Sequence, residues 1–215
     1  MQIIWYGHSC FLIKTSSGKR ILLDPFEIDI NNNASFPKCD LITLSHTHFN
    51  HSHINKNNTD TKIINTEGYF DMNFAKIYGI NTYHDKLLGL KRGKNIIFIV
   101  KVDNYTFCHL GDLGHIPDDN ILDKLQGIDI LFIPIGGKFT LDGYEASKLC
   151  QLILPKYIIP IQYKTLDSFI PLDDLEKFIF YNKYIHKINS SSLDSNILTS
   201  KYQCNIVLMD ICKLN

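Results

Sequence analysis

Four of the nine histidines, His46, His48, His51 and His53, fall within the single stretch His46-Thr47-His48-Phe49-Asn50-His51-Ser52-His53. Imidazole suits zinc and other transition metals, so the clustering predicts a metal site. If residues 46 to 48 continue an extended strand, His46 and His48 project to one side, because side chains repeat every second residue, and one ion could take both. Asn50 and His51, at a loop-to-helix transition, would point elsewhere and could serve a second ion about 3.5–4 Å away, the spacing of two-metal hydrolases. The alternative is a solvated polar loop in which Asn50 caps a helix. His53 could substitute as a ligand, although the first helical turn would direct it outward.

Catalytic zinc draws its ligands from several segments, and the chain offers more of them. His84-Asp85 and His109-Leu110-Gly111-Asp112-Leu113-Gly114-His115 each close an apolar or aromatic stretch. His109 lies inside a predicted strand and reads as a core residue or a support for a ligand. His115, three residues after Asp112, reads as a pocket residue, with a surface-loop histidine as the alternative. Asp85 could orient its neighbour His84, and Asp24, before Pro25, reads as a turn former.

The elements that must carry these residues follow from apolar patterning. Short apolar runs at Ile3–Tyr6, Cys10–Lys14, Arg20–Leu23 and Leu41–Leu44 predict strands, the last leading straight into the histidine cluster. Ile96–Val102 and Tyr105–His109 flank Asp103-Asn104, a hairpin turn that delivers Gly111-Asp112. Beyond Asp112 the pattern alternates like βαβ units: helix Asp118–Leu125, strand Ile128–Pro134, helix Asp142–Leu154 and strand Lys156–Ile161. A helix over Leu172–Tyr181 and a strand over Cys204–Met209 complete the prediction, with Ser190–Asn196 as a polar separator. No fixed-period repeat or linker divides the chain, which reads as one domain spanning 1–215.

Bulk properties narrow the function. At 215 residues the chain can bury a large core without a structural metal, so a metal here serves chemistry. Lys plus Arg and Asp plus Glu both number 22, which argues against nucleic acid or an anionic membrane as partner. The N-terminal residues do not form a signal peptide, and no apolar run approaches the roughly 20 residues of a membrane span. Six scattered cysteines without CxxC read as reduced thiols in a cytoplasmic protein.

The ordered series of motifs resembles the metallo-β-lactamase superfamily. It comprises His46-x-His48-x-Asn50-His51, His84-Asp85, Gly111-Asp112-Leu113-Gly114-His115, Pro134-Ile135-Gly136-Gly137 and Ile159-Pro160-Ile161-Gln162-Tyr163-Lys164-Thr165. Within the superfamily the chain is similar to predicted zinc-dependent hydrolases related to ascorbate-6-phosphate lactonase, with Tyr6-Gly7-His8-Ser9-Cys10-Phe11 and Leu22-Leu23-Asp24-Pro25 as further matches. The resemblance implies an α/β fold, the αββα sandwich of two mixed β-sheets flanked by helices. It implies that His46, His48 and His84 bind a first metal, that Asp112 bridges two, and that His51 belongs to the second. Asn50 and Gln162 stand where the family pattern has Asp and His, and both departures fall on the second metal. An amide is a poorer donor than a carboxylate or an imidazole, and Asn50 cannot accept a proton as the usual Asp does.

The expected cofactor is therefore zinc, one ion held well and the second weak or absent, with manganese, iron or nickel as other candidates. Asn50, Asp112 and His115 are the positions expected to act on the substrate; the metal positions are His46, His48, His84, Asp112, His51, Asn50 and Gln162. The expected activity is hydrolysis of a small ester, lactone or phosphoester by metal-bound hydroxide. A non-catalytic metal-binding or regulatory relative is the alternative, and a nuclease ranks third. The expected partner is a small-molecule substrate, with neither nucleic acid nor membrane; a homo-oligomer stays open.

Overall fold

A computed structural model describes residues 1–26, 35–46, 60–165 and 171–214. The chain opens with five strands, β1 (Gln2–Gly7), β2 (Cys10–Lys14), β3 (Arg20–Leu23), β4 (Leu41–Thr43) and β5 (Lys62–Ile64). Four more follow, β6 (Gly68–Asp71), β7 (Lys76–Tyr83), β8 (Lys94–Val102) and β9 (Tyr105–His109). Alternation then sets in with α1 (Asp119–Lys124), β10 (Ile130–Pro134), α2 (Gly143–Ile153), β11 (Tyr157–Ile161) and α3 (Glu176–Ile179). The last strands are β12 (Ile185–Lys187), β13 (Ser192–Asp194) and β14 (Asn205–Leu208).

These strands form two mixed sheets, in the orders β13-β1-β2-β3-β4-β5 and β12-β14-β11-β10-β9-β8-β7-β6. Period-two alternation explains how they stack. On β10, Ile130 and Phe132 enter the core between the sheets with Ile3, Phe11, Ile21 and Phe98. Leu131 and Ile133 face the other way, onto a second core with Leu125, Ala146, Leu149 and Phe178 from the helical side. Leu12, Leu22 and Ile42, on the outer face of the six-stranded sheet, pack with Phe36 and Cys39. The expected sandwich of two mixed sheets with flanking helices is thus the observed architecture. No helix among the described residues is long and apolar enough to cross a membrane.

Asp118 and Asp142 cap α1 and α2, the latter in a reciprocal capping box with Glu145, which is why these helices start where the sequence predicts. Asp103 and Asn104 both adopt positive φ, 50° and 65°, as a tight hairpin turn requires.

Three expectations need correction. The helix predicted over Leu172–Tyr181 contracts to Glu176–Ile179, since its N-cap position is Leu175, which offers no side-chain oxygen. β5, β6, β7 and β12 are strands the sequence did not predict; β7 reads Lys-Ile-Tyr-Gly-Ile-Asn-Thr-Tyr and pairs along its whole length with β8. The polar separator Ser190–Asn196 contains β13, which pairs with β1 and inserts Leu193 into the inter-sheet core.

Strand direction decides where the site forms. β1, β3 and β4 share one direction in the first sheet, and β7, β9, β10 and β11 share one in the second. Their carboxyl ends meet along one edge of the sandwich, where open α/β folds present reacting groups.

Candidate metal centre

Four of the candidate residues come shortly after these strands: His46 after β4, His84 after β7, Asp112 after β9 and Gln162 after β11. His8 and Asp24 follow β1 and β3 in the same way. His8, Asp24 and Gln162 turn through left-handed backbone with φ of 49°, 44° and 53°. Non-glycine residues in that region cost of order 1–3 kcal/mol each, and such strain concentrates at functional sites.

The ligating atoms of His46, His84 and Asp112 lie within 4.8 Å of one another. His84 Nε2 is 2.9 Å and His46 Nε2 3.5 Å from Asp112 Oδ2. All three residues are buried, at 3% exposure for His84, 6% for Asp112 and 7% for His46.

Hydrogen bonds behind the cluster set which nitrogen each ring presents. Ser45 Oγ lies 2.5 Å from Asp24 Oδ2 and 2.8 Å from His46 Nδ1. A hydroxyl has one proton; given to the carboxylate, it leaves the oxygen to accept from His46 Nδ1–H, so Nε2 turns its lone pair toward Asp112. The Ser45 N–H donates to Asp24 Oδ1 at 2.8 Å and completes the support. His84 Nδ1 sits 2.9 Å from the Phe139 carbonyl, which can only accept, so Nδ1 carries the proton there too. Burial pulls the His84 pKa down, but the bond and charge of Asp112, aided by the Phe139 carbonyl, outweigh it and the pKa is raised. Loss of the Nε2 proton would turn that nitrogen into a ligand while Nδ1 stays where it is.

Asp112 is clamped from behind. Its N–H donates to Asn95 Oδ1 at 2.9 Å, and Asn95 Nδ2 donates to the Leu110 carbonyl at 2.9 Å and to Thr82 Oγ1 at 2.8 Å. Gly111, at φ +57°, lets this turn close: a Cβ there would lie 2.5 Å from both Asn95 Oδ1 and Ser45 Cβ. The side chain of Gln162 donates its Nε2–H to Asp112 Oδ1.

This donor set fits a transition-metal ion. Ligand atoms each about 2.0–2.1 Å from a tetrahedral zinc are roughly 3.3 Å apart, within the spread seen here. A cation between the His46 lone pair and the Asp112 carboxylate suits both, and the backing bonds are the kind that fix histidine ligands.

His48, Asn50 and His51, and with them His53, lie outside the described residues. His115 is half-buried, its Nδ1 is 3.0 Å from the Ile116 carbonyl and its ring packs 5.9 Å from that of Tyr83; it is not among the three converging residues. His8 is half-buried, and burial holds its pKa down, assisted by His46 and opposed by Asp112 and Asp24. His109 is buried and donates Nε2–H to the Ser9 carbonyl at 2.8 Å. Asp85 does not orient His84. Its carboxylate instead accepts the N–H groups of Leu87, Gly89, Lys91 and Arg92 and organises the loop beyond β7. The roles of Asp24, Ser45, Asn95 and the Phe139 carbonyl escaped sequence reasoning; a serine directly preceding His46 was the one available signal.

The family model for the β-lactamase superfamily domain matches residues 2–162. The chain belongs to this superfamily. Among superfamily relatives, a metal-dependent hydrolase of Natranaerobius thermophilus is 30% identical over 200 residues, covering 81% of this chain and 88% of that protein. One of Methanosarcina barkeri is 29% identical over 200 residues, covering 78% and 85%. A crystal structure from Thermotoga maritima, of a candidate Zn-dependent hydrolase of the metallo-β-lactamase superfamily, superposes with a TM-score of 0.77 at 30% identity, covering 98% of this chain and 99% of that one. A metallo hydrolase from Ignicoccus hospitalis shares the fold at a TM-score of 0.68 and 18% identity, covering 100% and 97%.

Proposed function

We propose that this superfamily member is a metal-dependent hydrolase acting on a small ester, lactone or phosphoester, with zinc as the first candidate ion and manganese, iron or nickel as others. The observation that carries the reading is the convergence of His46, His84 and Asp112 at the strand ends, and the relatives named metal-dependent hydrolases agree with it.

An ion held there would polarise a carbonyl or phosphoryl oxygen and lower the pKa of a coordinated water to about 7. The chain's own groups do the rest. Asp24 through Ser45, and the Phe139 carbonyl, hold the two imidazoles with their Nε2 atoms inward. Asn95 fixes Asp112, whose Oδ2 faces both rings. His8, kept neutral by burial, can accept or donate one hydrogen bond to a substrate. We assign His48 as a further ligand of the same ion, Asn50 and His51 to the weak second position, and His115 to the pocket wall. A neutral net charge favours a small substrate over a nucleic acid.

Metal analysis of purified protein, with melting curves before and after chelation, tests the reading. Zinc or another transition metal at near-stoichiometric level and a lower Tm after chelation are expected. Trace metal together with an unchanged Tm would sink it.

The hydrogen bond from the Gln162 side-chain amide to Asp112 favours a second reading, a non-catalytic relative that binds metal for regulation. Esterase, lactonase and phosphodiesterase screens on the wild type and on an Asn50→Asp, Gln162→His double variant separate the two. Activity present in the wild type and lost in His48→Ala supports the enzyme; activity appearing only in the double variant supports the regulatory protein.

A further inference from the structure

The two oxygens of Asp112 face different neighbours. His84 Nε2 at 2.9 Å and His46 Nε2 at 3.5 Å both approach Oδ2. Oδ1 instead accepts the amide Nε2–H of Gln162. We infer that Gln162 limits this centre to a single ion by acting as a hydrogen-bond donor to Asp112 Oδ1, the carboxylate oxygen left over by the two histidines and the one a second ion would have to share. The inference rests on the metal-dependent reading above and concerns how many ions the centre takes. It also reassigns Gln162 from a weak metal ligand to a positioning residue.

The pose of Gln162 is built into the fold. The residue is 2% exposed, adopts left-handed backbone directly after β11, and donates its main-chain N–H to the His8 carbonyl at 3.4 Å. Gly136, just after β10, backs so closely against the Gln162 carbonyl that any side chain at 136 would collide with it. The Ile135 N–H, donated to the Ile161 carbonyl at 3.1 Å, ties the same two segments together. Asp112 is equally constrained by Asn95. The main chain of neither partner can shift without breaking buried hydrogen bonds, which are costly to leave unmade.

Residue type at 162 then decides what Oδ1 can share. An amide N–H presents its positive end to the carboxylate, and a cation drawn to the same oxygen would be repelled by it. An imidazole at 162 could present a lone pair instead, so that Asp112 and residue 162 would chelate an ion together.

Calorimetric titration of Zn2+ into chelator-treated full-length protein, with elemental analysis after dialysis, reads the stoichiometry directly. One equivalent per chain is expected for the wild type and for Asn50→Asp, and two for the Asn50→Asp, Gln162→His double variant. Two equivalents in the wild type overturn the inference and leave the hydrolase reading standing; none overturns the hydrolase reading and this inference with it. One equivalent in all three proteins overturns the assignment to Gln162, as do two in Asn50→Asp. A zinc-edge anomalous map of the loaded wild type does not depend on the variant folding. One peak beside Asp112 Oδ2, with Gln162 still on Oδ1, is expected, and a second peak on the Oδ1 side overturns the proposal.

Discussion

Ser45 shows how a side chain that touches no reacting atom can govern the site. Its hydroxyl joins the buried Asp24 carboxylate to His46 Nδ1 and so decides that Nε2 is the nitrogen offered at the centre. Ser45→Ala removes that orientation and deprives Asp24 of one donor. Groups that hold metal-binding histidines typically matter by about 10–100-fold in affinity. Competition against a chromophoric chelator should therefore show zinc binding weakened by roughly that factor, accompanied by a stability loss of about 1–3 kcal/mol for the hydrogen bond lost at the buried Asp24 carboxylate. Unchanged affinity would mean that the ring is held without Ser45. None of this was readable from residue types alone. Asp24 before Pro25 looks like any turn aspartate, but the partners of its carboxylate lie 21 residues away in sequence.

At the scale of elements, the loop beyond β7 illustrates a carboxylate that acts on backbone. Asp85 gathers four N–H groups from residues 87 to 92. Burial would raise its pKa, but these bonds, led by that from Arg92, hold it below the ordinary carboxylate value. A depressed folded-state pKa contributes stability that is fully present above the unfolded-state value, near 4, and is lost as pH falls through the lower folded-state value. Asp85→Asn should accordingly melt below the wild type at pH 7, and the gap in Tm should close as the pH is taken down through that window. A gap that stays constant with pH would assign the effect to shape rather than charge. The same loop brings Arg92 over the Phe139 ring, 3.3 Å from its centroid, and Phe139 in turn supplies the carbonyl that holds His84. Loosening at residue 85 should therefore also weaken metal binding, though less than Ser45→Ala does. Strands with strong apolar runs, such as β8 and β10, were legible because both their faces are buried. β6 and β7 were not, because part of their surface is polar and their pairing partner is chosen by tertiary contact.

At the scale of the molecule, the C-terminal part closes back on the first strand. Besides the β13 pairing, Trp5 N–H donates to the Ser191 carbonyl at 3.0 Å and Cys212 N–H to the Trp5 carbonyl at 2.7 Å. Leu193, 1% exposed, is the apolar residue of β13 in the core between the sheets. Leu193→Ala should cost about 2–5 kcal/mol in urea unfolding, the range for a buried leucine that leaves a cavity. A loss under 1 kcal/mol would indicate that this edge strand contributes little to the sandwich. By itself the sequence determined most strands, from apolar periodicity, and the histidine and aspartate candidates, from ligand chemistry, because both are local properties of the chain; the sandwich class and the grouping of His46 and His84 with Asp112 were legible only through the family resemblance of the ordered motifs. Only the tertiary structure decided which nitrogen each histidine presents, that Asp85 serves a loop, and that Gln162 is a donor to Asp112. Those roles depend on distances between segments from 1 to 55 residues apart in the chain, and on which hydrogen-bond partner burial leaves within reach.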